Sequence, residues 1–364
     1  MSAKPGAGAS NPGQGAFAAG PGAARLLSDL PPGALWTGAE ADLAWASKRF
    51  AGAEELSVEP LSGDASQRRY VRLRRGGETA ILMLGPDEAE NRLWLHLGRQ
   101  LWYHGLPLPR IFGADLDGGR FLLEDLGPTR LDAVRDEGRK PGHRLGLYKA
   151  AAEVLAKFHE RGPSAYGQIQ AKNPLYGPSF VFRREWGYFA SGLGLLGLAE
   201  PPGPAAVKEA RAFSADAASG RKTLIHRDFQ SRNLMVRSEK IFVLDWQGAR
   251  LGPPAYDVAS VLCDPYVELG EAEREAFLET YLAARQEPPE PFRERLRVLE
   301  AARLMQAFGA YASLTMVYRK PAYKPYLAPA MARLGLALAH PALDGYPLIR
   351  RLVAKASARL MELK

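Results

Sequence analysis

The segment His226-Arg227-Asp228-Phe229-Gln230-Ser231-Arg232-Asn233 is followed by the apolar run Ile241-Phe242-Val243-Leu244 and then Asp245-Trp246. Few folds accommodate that order. It reads as strand, polar loop, short hairpin, buried strand, acid. A short run of large apolar side chains bounded by turn signals is the pattern of a strand covered on both faces, and it carries Asp245 out at its end. A carboxylate so placed can hold a divalent cation, with Asn233 supplying a neutral oxygen beside it. Magnesium takes oxygen ligands and keeps waters and phosphate oxygens in its shell, and Asp228 would then face the phosphate. A turn whose Asp and Asn only cap backbone amides is the simpler account, but it leaves the flanking strands and the terminal acid unexplained.

The same spacing, H-R-D-x-x-x-x-N and then a strand ending in Asp, marks the catalytic loop of the kinase superfamily. Such a site needs backbone N–H groups over the phosphates. The small-residue turn Ser62-Gly63-Asp64-Ala65-Ser66, between extended segments, stands in the right place, although any hairpin can use these residue types. The third strand, Ala80-Ile81-Leu82-Met83-Leu84, lacks the lysine that normally meets the phosphates. Arg68, Arg69, Arg72 or Arg74 can supply that cation, and strand alternation puts Arg72 and Arg74 on one face and Arg69 on the other. Glu88 or Glu90 on the following helix can orient it. Asp257 opens a helix a short way after Asp245, where it either receives N–H bonds from the catalytic loop and braces it or caps its own helix. His226 reads as a second structural support. No long activation segment ending in A-P-E intervenes, so the site is open to a small molecule and not shaped for a polypeptide.

The rest of the chain fits two unequal lobes. Residues 1–34 are rich in Gly, Ala and Pro, and such a tail is expected to be disordered because it cannot offset the entropy of ordering. Residues 40–50 read as a lead-in helix. Strands are expected at 56–60, 69–74, 79–84, 110–114 and 120–124, and a helix over 87–104 stopped by Gly105. Beyond Gly127 the periodicity turns helical. A helix over 144–160 is expected to end at Gly162-Pro163, strands recur at 223–225, 234–236 and 241–244, and helices follow from Tyr256 on. The expected fold class is therefore α+β and bilobal: a small antiparallel, nucleotide-binding lobe over 35–126, a larger helical lobe over 127–364 that carries catalysis and the substrate, and a joint near 124–127. The chain has 364 residues, a formal net charge of +8 and one cysteine, Cys263. An intramolecular disulfide and a Cys-rich zinc module are thereby excluded. With no apolar stretch long enough to span a bilayer and no nucleic-acid motif, the expectation is a cytoplasmic protein with no membrane or nucleic-acid partner.

The chain resembles the aminoglycoside phosphotransferase-like small-molecule kinases, and among them the bacterial anomeric N-acetylmuramate/N-acetylglucosamine kinases of cell-wall recycling. The residues that carry the resemblance are GDASQRRYVRL (63–73), AILM (80–83), GRFLLEDLG (119–127), HRDFQSRNLMV (226–236), the stretch 243–269 from VLDWQGA to PYVEL, QAFGAY (306–311) and YKPYL (323–327). Met83 at the lysine position also looks like the amino-sugar branch. The resemblance implies a protein-kinase-like fold, ATP and Mg²⁺ as cofactors, and an amino sugar as the small-molecule acceptor. ATP would lie between the lobes, its adenine against the 122–126 connection with Glu124 and Leu126, and its phosphates under Ser62–Ser66. Asn233 and Asp245 would hold Mg²⁺, and Asp228 would take the acceptor proton. Arg183, Arg184, Arg319 and Lys320 can meet an anionic substrate or be ordinary surface charge. Two other readings stay open: a kinase of an aminoglycoside, another sugar or an amino alcohol, and a catalytically silent nucleotide-binding protein.

Overall fold

The computed structural model describes residues 38–362 except 51, 53, 62–67, 139 and 171. The Gly/Ala/Pro-rich tail and the turn Ser62–Ser66 lie outside the described residues. Helix α1 (Ala39–Arg49) leads into a five-stranded antiparallel sheet of order β1-β2-β3-β5-β4. Its strands are β1 (Ser57–Leu61), β2 (Arg69–Arg75), β3 (Glu78–Leu84), β4 (Ile111–Asp115) and β5 (Arg120–Glu124). Period-two alternation sorts their side chains. Val71, Leu73, Ala80, Leu82 and Leu122 pack with Leu43 and Ala46 of α1 in a small core. The other face presents Tyr70, Arg72, Ile81, Met83 and Leu123 to a cavity.

Helix α2 (Glu88–Tyr103) follows β3. It starts where the side chain of Asp87 accepts a hydrogen bond from Glu90 N at 2.8 Å. It stops at His104 and Gly105, whose φ of 76° suits glycine. The apolar stripe of α2, with Leu93, Trp94, Leu97 and Leu101, joins the main core of the helical half.

That half contains α3 (His143–Gly167), α4 (Pro178–Val181), a π-helical turn (Phe182–Trp186) running into α5 (Gly187–Leu195), and α6 (Pro204–Ala217). After these come β6 (Thr223–Ile225), the hairpin β7 (Leu234–Arg237) and β8 (Lys240–Val243), and β9 (Arg250–Gly252). Helices α7 (Ala255–Leu262), α8 (Glu271–Arg285), α9 (Pro289–Met316), α10 (Leu327–Leu338) and α11 (Pro347–Glu362) complete it. The bilobal α+β expectation is met.

One boundary is corrected. Gly162-Pro163 does not end α3, which runs on to Gly167 with Pro163 inside it. A helical proline removes the N–H that would bond the carbonyl four residues back. Here that carbonyl, His159 O, accepts from the hydroxyl of Thr223 on β6, so no acceptor is orphaned. Gly162 permits the approach, since a Cβ there would stand 2.9 Å from Leu224. Strand β9, which pairs antiparallel with β6, was not foreseen. Three residues are too few to carry a period.

Candidate active site

The polar loop 226–233 hangs between β6 and β7 and is fixed at both ends by buried acids at the two ends of α7. Asp257, in the first turn of α7, accepts from His226 N at 2.6 Å and Arg227 N at 2.8 Å. Asp264, just past the helix end, accepts from Ser231 N at 2.7 Å. Of the two readings of Asp257, the geometry is that of the brace. A carboxylate taking several backbone N–H bonds is an immobile anchor in a dry interior. His226 adds a third tie, its Nε2 donating to Leu244 O at 2.8 Å. His159 stands behind Asp257, with Nε2 2.9 Å from Asp257 Oδ2 and Nδ1 2.7 Å from Tyr281 Oη. A carboxylate only accepts, so Nε2 carries the proton and Nδ1 accepts from the tyrosine. Burial pushes His159 below the ordinary histidine range, with Asp257 pulling the other way.

Held this way, Asp228, Asn233 and Asp245 all line one cavity of about 1190 Å³ between the sheet and the helical half. Asn233 Nδ2 donates to Asp228 O at 2.8 Å, which commits its nitrogen and keeps Oδ1 as an acceptor. Asp245 ends the β8 run in the left-handed region, φ 59°, which Asp tolerates better than most residues. Its side chain is enclosed by protein on most sides while 40 % of its surface opens to the cavity. Burial raises its pKa above the usual carboxylate range; Arg68 and His226 oppose the shift, and Asp228 and Glu90 add to it. A carboxylate and an amide oxygen, with space beside them, suit a hard cation that completes its shell with water and phosphate oxygens. Among the described residues no cluster of three or more His, Cys, Asp or Glu forms a closed metal cage.

The connection between the halves forms another wall, through Glu124, Asp125, Leu126 and Gly127. Each half grips one of its acids. Arg72 of β2 holds Asp125 at 2.6 and 3.3 Å, and Arg237 of β7 holds Glu124 at 2.7 Å. Burial pushes Asp125 up, but the Arg72 pairing and the Gly127 N–H outweigh it, so its pKa is net lowered.

Sequence reasoning missed Asp264 and Arg303. Arg303 on α9 is buried. Its Nη2 donates to Gln230 Oε1 at 3.0 Å and lies 3.8 Å from Asp228 Oδ1. Its Nε donates to Ser260 Oγ at 3.1 Å, and Nη1 bonds Gln306. The available signal was an arginine inside the apolar stretch 298–312. Arg183, Arg184, Arg319 and Lys320 do not line the cavity; Arg184 instead lies over Tyr188 at 5.2 Å. Trp246, next to Asp245, stacks on Trp94 with ring centroids 4.8 Å apart and donates to Trp94 O at 2.8 Å. This ties the acid's position to α2.

A strand-built half over a helical half, with an HRD-type loop and a strand-end acid opening into a small-molecule cavity, defines a small-molecule kinase. The chain belongs to the phosphotransferase enzyme family, whose profile matches residues 57–299. It is 30% identical over 282 residues to an N-acetylmuramate/N-acetylglucosamine kinase of Pseudomonas aeruginosa, spanning 72% of this chain and 78% of that one. Among solved structures it is similar to a Plasmodium vivax ethanolamine kinase, with TM-score 0.61, 14% identity, and coverage of 91% and 96%. It is also similar to a thermostable mutant of aminoglycoside phosphotransferase APH(4)-Ia in ternary complex with ADP and hygromycin B, with TM-score 0.54, 15% identity, and coverage of 82% and 99%. These two likenesses speak to fold.

Proposed function

We propose that this kinase uses ATP and Mg²⁺ to phosphorylate the anomeric hydroxyl of an amino sugar, N-acetylmuramate or N-acetylglucosamine, in cytoplasmic cell-wall recycling. The observation that carries the acceptor class is the make-up of the cavity wall beyond Asp228. Arg303, Arg232, Gln230, Gln306, Tyr311 and Tyr323 stand there with small Ala307 and Ala310. That wall has arginines, amides and phenols where a polycationic antibiotic would want carboxylates. It suits a neutral or anionic sugar: phenol faces for the ring, amides for hydroxyls, guanidinium for a carboxylate. The name of the Pseudomonas aeruginosa relative agrees.

In this reading residues 35–126 bind the nucleotide and residues 127–364 bring the acceptor. The backbone of Glu124 and Leu126 meets the adenine, and Ser62, Gly63, Asp64, Ala65 and Ser66 cover the phosphates. Asn233 and Asp245 hold Mg²⁺, which supplies charge neutralisation on the phosphates. Asp228 orients the acceptor hydroxyl and takes its proton as the oxygen bonds the γ-phosphorus and the bond to the ADP oxygen breaks. Arg303, 3.8 Å away, places a positive charge beside that carboxylate, and His226 and Asp257 hold the loop still. Positioning and electrostatics supply most of the rate gain in such transfers.

The test incubates the protein with Mg-ATP and a panel of N-acetylmuramate, N-acetylglucosamine, other hexoses and several aminoglycosides, with products read by phosphorus NMR. The expected product is a sugar 1-phosphate, recognised by coupling to the anomeric proton. Phosphate on an aminoglycoside hydroxyl, or on a non-anomeric sugar position, would overturn the acceptor assignment.

A further inference from the structure

The third strand gives the phosphates no lysine, and Met83 fills that place in the cavity wall. A positive charge nevertheless stands at the same end of the sheet. Arg68 precedes β2 directly. Tyr70 pairs with Met83 across β2 and β3. Arg68 is two residues before Tyr70, so alternation turns it to the same side of the sheet, where it lies directly behind the cavity lining that Glu90, Trp94 and Asp245 form. Its side chain is only 3% exposed. Nη2 lies 2.8 Å from Glu90 on α2, Nη1 lies 4.0 Å from Asp245, and the guanidinium carbon is 5.8 Å from the centre of the Trp94 ring. A guanidinium buried this deeply persists only where carboxylates compensate its lost hydration. Here one carboxylate comes from the helix over the site and the other from the strand end that faces the phosphates. The other arginines of this face are committed elsewhere: Arg72 to Asp125, and Arg74, half-exposed, to Glu59 at 2.8 Å.

We propose that Arg68 is the phosphate-contacting cation of this kinase, moved from the third strand to the start of the second, with Glu90 as its positioning partner. A cation bound at Asp245 satisfies that carboxylate, and the guanidinium edge now turned to Asp245 is then available to a phosphate oxygen of the same nucleotide. Arginine suits the task because its planar fork can serve Glu90 with one edge and phosphate with the other. The inference rests on the reading that Mg-nucleotide binds at Asp245, and not on which sugar accepts.

The test is a calorimetric titration of the full chain with adenosine, and with ADP and ATP in the presence of Mg²⁺. Loss of one charge-assisted contact lowers affinity by about 10- to 100-fold. Arg68→Met is therefore expected to weaken ADP and ATP by that factor and leave adenosine within about twofold. Adding Met83→Lys to Arg68→Met returns a charge to the third strand and is expected to recover at least half of the loss on a logarithmic scale. Glu90→Gln is expected to weaken ATP less than Arg68→Met does. Equal losses for adenosine and ATP, unchanged ATP affinity in Arg68→Met, or no recovery in the double variant would each overturn the assignment. If Arg68→Met does not fold, the same comparison is made with Arg68→Lys. That variant is expected to weaken ATP selectively over adenosine, and a parallel loss of both would overturn the proposal. No acceptor enters these titrations, so a wrong sugar leaves their outcome unchanged.

Discussion

Asp257 is fully buried and does not line the large cavity, yet two backbone N–H groups and a buried imidazole converge on it. The histidine gives this anchor a pH dependence whose sign is fixed. His159 has a folded pKa below its ordinary value of 6.5, so between the two values the unfolded chain binds the extra proton. Its contribution is complete above about pH 6.5 and is lost as pH falls below that value. The denaturation midpoint is expected to drop more between pH 7.5 and 5.5 in the wild type than in His159→Gln, as measured by urea titration. Two further substitutions separate binding from turnover. Asp228→Asn is expected to lose at least about a hundredfold in kcat while ATP affinity stays within a few-fold. Asp245→Asn is expected to raise the Mg-ATP concentration needed for half-saturation by about tenfold or more. Steady-state kinetics with the acceptor saturating distinguish the two patterns.

The contact of α2 with the segment after Asp245 is built around a missing side chain. A Cβ at Gly98 would stand 2.6 Å from the Trp246 ring, so Gly98→Ala must move the indole or the helix. Overpacking of this kind costs about 1–3 kcal/mol. Because Trp246 adjoins Asp245, Mg-ATP affinity is also expected to fall, whereas a control alanine at Gly194, which meets nothing within 4 Å, should leave affinity unchanged. Thermal melts and nucleotide titrations on both variants check this. Elements of this kind also mark what the sequence could tell. The strands of the sheet, α2 and the loop acids were legible because alternation, caps and the H-R-D-x-x-x-x-N spacing are local. The continuation of α3 through Pro163 was not, because the donor that rescues His159 O sits on Thr223, 64 residues away. Asp264 and Arg303 escaped for the same reason, as their partners come from other elements. The arginine facing Glu90 could be named only as one of four, since strand alternation gives relative faces and not which face meets the cleft.

At the scale of the molecule, the cavity has walls from both halves, so a nucleotide within it should stabilise the fold as a whole. At about 100 times its dissociation constant a ligand adds about 2.7 kcal/mol, which for a chain of this size raises Tm by roughly 3–4 °C. Mg-ATP is expected to give such a shift in a thermal melt and to give much less with Asp245→Asn. The kinase class and the lobes' order along the chain were legible from motif order alone. The grip of Arg72 and Arg237 on adjacent acids of the connection was not, because ion pairs between distant segments have no local signature.

The stacked indoles of Trp94 and Trp246 give the protein an optical handle of its own. The chain has six tryptophans, but these two lie face to face, 19° from parallel, and both border the cavity. Two strong transitions held that close mix, so the pair should contribute a signed couplet to far-ultraviolet circular dichroism, where indole absorbs most strongly, that isolated indoles do not. Its emission should also change when a nucleotide settles beside Asp245. Occupancy of the site can then be followed in real time in the unlabelled protein, by stopped-flow fluorescence, before any acceptor has been added.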